Sequence, residues 1–521
     1  MSTTLTHRLR RKSSIGWAAA TTAVLVCAGT GMGFVRDLVM AHLFGASSST
    51  DAFLVAWTVP ETMSPLLIED AMALIMVPIV ARRLRHRDGV RPLVATALPR
   101  LAAALAAAML LVILAAPLLV EAIAPGLEDA APAVTCVRIA AVTILCFGIT
   151  GFMSATLRAH HVFAQPAAIY LAYNVGILTA IAALAAPLGV VSAAVGVACG
   201  SVLMVAVQAP AFFRAIRTPP DHASPAVLDQ APAHAVALSG IIPVVTYTLT
   251  RQTQTLTERF LGSNLAAGAI SHLNYAQKVA QVPMMLSLLI VTVTFPRLAR
   301  ATADGDTRQI RGRIEADLVI VGAIVLAATA YLIGCADQIV AVLFEHGRFS
   351  ADDTASTATL LRIYCLGLWG QATLGVCARA YFSQSRPLWR PALAVAVSPA
   401  VTIGVGTMWT DTAGAAALAA ANALGITLAA ALLVLGLRTD VVRISLRLVM
   451  TDLTKLAAAA LLAAASTAFV TGTLLAARAP LPGLVVNAAV VAAAFAAVLT
   501  VTGPSRSPLS NLRALRRGPS S

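Results

Sequence analysis

Charge is scarce in this chain. Only 12% of its 521 residues are Asp, Glu, Lys or Arg, against roughly 25% in soluble domains. The mean hydropathy is +0.83 and 59% of residues are hydrophobic, which excludes an ordinary soluble domain. Catalytic signatures are also missing. The sequence holds no Walker loop, no HExxH and no nucleophile elbow, so neither nucleotide hydrolysis nor a familiar metal- or serine-based chemistry is indicated. No catalytic residue and no cofactor is expected. A pump without a nucleotide-binding domain draws on ion gradients, the membrane potential or downhill substrate flow. Seven cysteines (Cys27, Cys136, Cys146, Cys199, Cys335, Cys365, Cys377) contain no CxxC pair and sit mostly in apolar segments. They read as small buried hydrophobes, with no disulfide or metal framework. The histidines His86, His160, His161 and His346 fall in loops, where solvation is their ordinary state.

What the chain has is one apolar segment after another. A bilayer core about 30 Å thick takes about 20 apolar residues per helix. By that measure the expected spans are 15–40, 52–81, 97–120, 133–157, 166–186, 190–213, 235–260, 268–296, 316–335, 356–383, 389–409, 412–437, 453–475 and 481–502. The fold class is therefore an all-α polytopic membrane protein of about fourteen transmembrane helices. Pro60, Pro65 and Pro283 should bend the second and eighth spans. The basic start followed by an apolar stretch resembles a signal peptide. That stretch runs on into Gly33-Phe34-Val35-Arg36-Asp37 and further spans, so it reads as an uncleaved first helix.

The formal charge is +14, but its distribution does not fit nucleic acid. Basic residues cluster in alternate loops, around 8–12, 82–91, 158, 214–217, 297–313, 386–390, 438–447 and 506–517. The loops between are poor in Lys and Arg, and 121–128 and 337–353 are acid-rich. This positive-inside pattern places both termini in the cytoplasm, with attraction to anionic membrane lipid as a second use of the charge.

A weak internal repeat runs through the chain. Leu157-Arg158-Ala159 with Pro166 resembles Ala378-Arg379-Ala380 with Pro387, and Val77-Pro78 leading to Arg82 resembles Phe295-Pro296 leading to Arg300. Chance similarity in Ala- and Leu-rich sequence is the alternative. If the repeat is real, residues 1–220 form one six-helix lobe and 221–440 another in the same orientation. Residues 441–502 add two helices, and 503–521 form a disordered basic tail. The stretch 214–234, with Pro219, Pro220, Pro225 and Pro232, is the linker.

A charged group at a helix centre costs about 2.5–3.5 kcal/mol on insertion scales, so it faces a cavity or a partner unless it anchors at the interface. Arg36-Asp37 allows either reading. Adjacent helical residues point about 100° apart, so the two need not pair. Lys278 lies deeper in its span, where snorkelling is harder. Arg251 precedes Glu258 by about two turns, which puts both on roughly one face. Glu69-Asp70 interrupts the second span, and Asp51 suits its N-cap. The candidate substrate-binding set is Arg36, Asp37, Lys278, Arg251, Arg259, Asp51 and Glu69. Its cations suit phosphate, Arg as a planar fork and Lys as a compact charge.

Three stretches together resemble one family. They are GFVRDLVMAHLFGASSSTDAFLVAW at 33–57, ERFLGSNLAAGAISHLNYAQKVAQVP at 258–283 continuing to FPRLAR, and LFEHGRFSADDTASTATLLRIYCLGL at 343–368. Their order and spacing are similar to those of the MurJ/MviN lipid II flippases, in the multidrug/oligosaccharidyl-lipid/polysaccharide exporter superfamily. The resemblance implies a two-lobed bundle with a cationic central cavity. It implies a monomer in the bacterial inner membrane that moves a lipid-linked peptidoglycan precursor outward by alternating access. By motif, Arg36, Asp37 and Asp51 match family positions, and Lys278 stands where many members have Arg. The chain departs from the pattern at Thr30 and Ser64, where many members carry Arg. Some members bind sodium through acidic or Asn side chains on the seventh and eleventh helices. Here Ser398 and Thr402 stand on the eleventh without an acid, which does not fit sodium coupling. The implied cargo is lipid II or another polyprenyl-pyrophosphate-linked glycan. The alternatives are export of a drug or secondary metabolite, and a non-transporting membrane scaffold.

Overall fold

The computed structural model describes residues 2–69, 71–84, 89–217, 238–384, 388–473 and 480–501. The linker beyond Arg217, the basic tail, Asp70, His86 and Arg87 lie outside these residues. The described chain is helical throughout, without strands. In chain order the helices are α1 (Ser2–Phe44), α2 (Ser48–Ser64), α3 (Ala71–Arg83), α4 (Arg91–Leu114), α5 (Ala116–Ile123), α6 (Ala131–Ala140), α7 (Val142–Ala159), α8 (Ala164–Leu188), α9 (Val191–Arg217) and α10 (Leu238–Gly262). There follow α11 (Ala269–Ala303), α12 (Thr307–Gly334), α13 (Ala336–Phe344), α14 (Ala351–Phe382), α15 (Arg390–Ala413), α16 (Ala415–Asp440), α17 (Leu446–Thr473) and α18 (Pro480–Val501).

Among the described residues, 12 segments are long and apolar enough to cross a membrane. The expected count of fourteen is not reached by that measure. The two expected spans outside it are α10 and α11, both long helices. α10 carries Arg251, Gln252, Gln254, Glu258 and Arg259, and these polar side chains interrupt its apolar run. Several expected spans are also broken. Pro65 lacks an N–H, so the second span passes from α2 through a π-helical turn, Pro65–Glu69, before resuming as α3. The third divides at Ala115, just ahead of Pro117 at the start of α5, and the fourth divides at Ala141.

The chain forms two compact units, Met1–Leu249 and Thr250–Ser521, and their boundary falls inside α10. In the first unit α8 packs along both α9 and α1, and α7 packs on α9 and α3. Close approach of α8 and α9 depends on small residues. A Cβ added to Gly176 would lie 2.6 Å from the Gly200 Cα, so neither position takes a side chain without parting the helices. In the second unit α14, α15 and α16 pack together, and α17 and α18 attach through α12 and α13. Five cysteines are buried as expected, but Cys27 and Cys199 are exposed. The cysteines are free thiols.

Candidate functional site

One polar cluster of the first unit centres on Arg36. Near the end of α1 it is only 8% exposed, as is Asp37. A buried guanidinium needs a counter-charge, and the nearest carboxylate is the next residue. Adjacent helical residues point about 100° apart, yet these two pair. The long Arg side chain folds back, and its Nη2 and Nε donate to Asp37 Oδ1 at 2.7 and 3.0 Å. Nη1 reaches Asn174 Oδ1 on α8 at 3.4 Å. The guanidinium carbon lies 4.3 Å from the ring centroid of Trp57 on α2, a cation–π contact. Asn174 also donates to the Gly29 carbonyl at 3.1 Å and to the Tyr170 carbonyl at 2.9 Å. One amide thereby ties α1 to α8 and orients the cation. Behind Trp57 the rings of Tyr173 and Phe147 follow, with centroid separations of 6.2 and 5.7 Å along the row.

The other first-unit candidates divide. Glu69 is exposed. It accepts a short hydrogen bond from the Tyr170 hydroxyl, which also meets Ser64 Oγ at 3.1 Å. Ser64 is thus bound into a local polar chain. The Thr30 hydroxyl donates to its own helix at the Val26 carbonyl. Asp51 is buried but is not the N-cap that its position suggests. Ser47 takes that place, its hydroxyl accepting from the Thr50 amide. Asp51 stands in the first turn of α2, where the helix dipole favours a carboxylate.

In the second unit Arg251 and Glu258, expected on roughly one face of α10, differ in burial. Arg251 is exposed, whereas Glu258 is only 7% exposed and turns inward. Its Oε1 accepts from Gln254 at 2.8 Å and from Asn422 on α16. Its Oε2 accepts from the Tyr364 hydroxyl on α14 at 3.0 Å. Gln254 extends the network to α15, accepting from Ser398 at 3.1 Å and meeting Thr402 at 3.0 Å. The carboxylate that the eleventh expected span lacks therefore arrives from the seventh. Arg259 is buried and committed to α11, donating to Asn274 Oδ1 at 3.2 Å and to the Ile270 carbonyl at 3.4 Å. Lys278 is half-buried on α11. Among the described residues no group of three or more His, Cys, Asp or Glu could hold a metal.

Arg36, Asp37 and Arg259 stand out in the sequence, whereas Trp57, Asn174, Gln254, Asn422 and Tyr364 do not. The four-residue spacings Gln254/Glu258 and Ser398/Thr402 were available as a signal, since each pair shares a helix face. Chemically, the first-unit cluster is a desolvated cation whose counter-ion sits on its own helix. An entering phosphate can compete with Asp37 for the guanidinium.

The comparisons agree with this architecture. The chain matches the family described as Lipid II flippase MurJ over residues 40–479. It is 28% identical over 362 residues to a lipid II flippase MurJ of Burkholderia cenocepacia, covering 68% of this chain and 70% of that protein. It is 28% identical over 363 residues to a probable lipid II flippase MurJ of Rhizobium meliloti, with 64% of each chain covered. Among solved structures it resembles a lipid II flippase MurJ in an inward closed conformation, with TM-score 0.73 and 18% identity over 95% of this chain and 99% of the other. An inward-facing multidrug resistance transporter of the MATE family aligns with TM-score 0.66 and 13% identity over 84% of this chain and 99% of the other. These structural likenesses bear on the fold, and the family match carries the assignment: this multi-pass membrane protein belongs to the MurJ lipid II flippase family.

Proposed function

We propose that the protein moves a polyprenyl-pyrophosphate-linked saccharide, lipid II in the first instance, from the inner to the outer leaflet of the bacterial cytoplasmic membrane. Transport would proceed by alternating access, in a monomer with both termini in the cytoplasm. The observation that carries the reading is the buried Arg36, held by Asp37, Asn174 and Trp57. A cation costly to bury and positioned by three different elements suits a recurrent anionic ligand better than a membrane anchor. A pyrophosphate lipid moving outward leaves an inside-negative cytoplasm. The potential contributes about 2.3 kcal/mol per charge per 100 mV in that direction.

A second reading, export of a more apolar amphiphile, is favoured by one feature. Ser64, where many family members carry Arg, is hydrogen-bonded to Tyr170, and an aromatic row of Trp57, Tyr173 and Phe147 packs in the same unit. Complementation of a strain depleted of its own lipid II flippase separates the two. Growth supports the first reading. Failure to grow with normal membrane levels of the protein favours export.

A further inference from the structure

The second unit contains a cavity that the transport reading does not use. It lies between the first turns of α15 and the last turns of α16, encloses about 310 Å³, and is lined by Arg390, Leu393, Ala394, Leu432, Leu435 and Gly436. Its walls are apolar and open outward, Leu393 being 67% and Leu435 57% exposed. At one end lies Arg390, fixed by several contacts. Its Nε pairs with Asp440 Oδ2 at 3.0 Å, and its Nη1 donates to Thr439 Oγ1 at 3.0 Å. Thr439 donates in turn to Asp440 Oδ1 at 2.8 Å. The room for this arrangement comes from Gly436. A Cβ there would run into Arg390 Cδ and Nη1 and the Tyr381 hydroxyl. Tyr381 is itself buried and anchored on the Leu433 carbonyl at 3.2 Å. Three helices, α14, α15 and α16, thus hold one cation across the end of an apolar trough, with its side chain still 44% exposed.

The shape and charge select the occupant. A soluble anion would leave Leu393, Leu432 and Leu435 uncovered. A neutral acyl chain would cover the leucines but make no use of the part of Arg390 left exposed beside Asp440. Exposed Arg438, Arg443 and Arg447 lie along the chain beside the same end, and Asp440 offsets only part of their charge. Exposed Trp389 stands next to Arg390, in the amphipathic position Trp takes at membrane interfaces. The basic loop at 438–447 is one of those expected in the cytoplasm. We propose that this groove binds one anionic phospholipid of the inner leaflet. Its phosphate lies on Arg390, and an acyl chain runs along Leu393, Leu432 and Leu435. A basic pocket between transmembrane helices on the cytoplasmic side is the recognised setting for such a head group. The lipid would bridge α15 and α16, whose buried sides carry Ser398, Thr402 and Asn422.

Native mass spectrometry on the full-length protein tests the assignment. The purified chain is titrated with phosphatidylglycerol or with phosphatidylcholine of identical acyl chains. Wild type should retain one lipid tightly, with at least a ten-fold preference for phosphatidylglycerol. Arg390→Gln should abolish that preference, and Gly436→Leu should lose the retained lipid. Arg390→Gln keeps the test decisive if Gly436→Leu fails to fold. An unchanged preference in Arg390→Gln would overturn the proposal. So would equal retention of phosphatidylcholine by wild type, competition by free glycerol 3-phosphate at equal concentration, or a dimer mass abolished by Gly436→Leu.

Discussion

Asp37→Asn isolates the role of the counter-ion in the first-unit cluster. The substitution keeps the shape and one acceptor oxygen but removes the charge. In the unloaded protein Arg36 makes two hydrogen bonds to Asp37 Oδ1, at 2.7 and 3.0 Å. A hydrogen bond to a charged group contributes about 1.5–3 kcal/mol and a neutral one about 1. The variant's unloaded state should therefore be less stable by about 1–4 kcal/mol over the two bonds. If an incoming pyrophosphate displaces Asp37 from Arg36, its competitor has been weakened by that amount. Affinity should rise by about five-fold or more, since each 1.4 kcal/mol is a decade. Release should slow correspondingly, so transport falls although binding tightens. The assay is equilibrium binding of a soluble lipid II analogue to purified wild type and Asp37→Asn, with thermal unfolding in the same detergent. Equal or weaker binding by a folded variant would refute displacement of Asp37 as the loading step.

Other substitutions probe other parts of the account. Arg36→Ala and Lys278→Ala should each abolish transport at normal membrane levels, whereas Lys278→Arg should keep it; full activity of both Ala variants would return these residues to an anchoring role. Ser64→Arg should tighten binding of the analogue and Arg251→Ala should weaken transport; unchanged affinity in both would favour the exporter reading. Glu258→Ala leaves the Gln254, Asn422 and Tyr364 donors without their acceptor and should destabilise the second unit by roughly 3 kcal/mol, read as a lowered unfolding temperature; an unshifted midpoint would remove the cluster from the stability account. Single cysteines in a Cys-free background should be labelled from outside at 48 and 352 but not at 308, and external labelling at 308 would contradict the orientation.

The helices were legible because the apolar runs are long and the proline-bent second span announces itself. The breaks at Ala115 and Ala141 were harder for different reasons. Pro117 carries the first signal but sits inside an otherwise continuous apolar stretch, and nothing in residues 140–142 distinguishes Ala141 from its neighbours. Arg36 could be singled out because a charge in an apolar run is costly wherever its partner lies. Its partners could not. Trp57 and Asn174 are an aromatic and an amide of ordinary type on separate helices, and only the packing of α1, α2 and α8 brings them to the guanidinium. The same holds for Glu258, whose acceptor oxygens are satisfied from α10, α14 and α16. Helical spacing puts Glu258 on roughly one face with Arg251, but α14 and α16 cover only the Glu258 end of that face, so Arg251 stays exposed.

The proposed activity is movement of lipid II between leaflets, with Arg36 engaging its pyrophosphate. The most direct measurement is the accessibility of lipid II to a membrane-impermeant degrading enzyme added outside cells depleted of their own flippase. Cells expressing the wild-type chain should present lipid II for degradation, and cells expressing equal membrane levels of Arg36→Ala should not. Lipid II that stays protected in both, with the wild-type protein correctly inserted, would contradict the account.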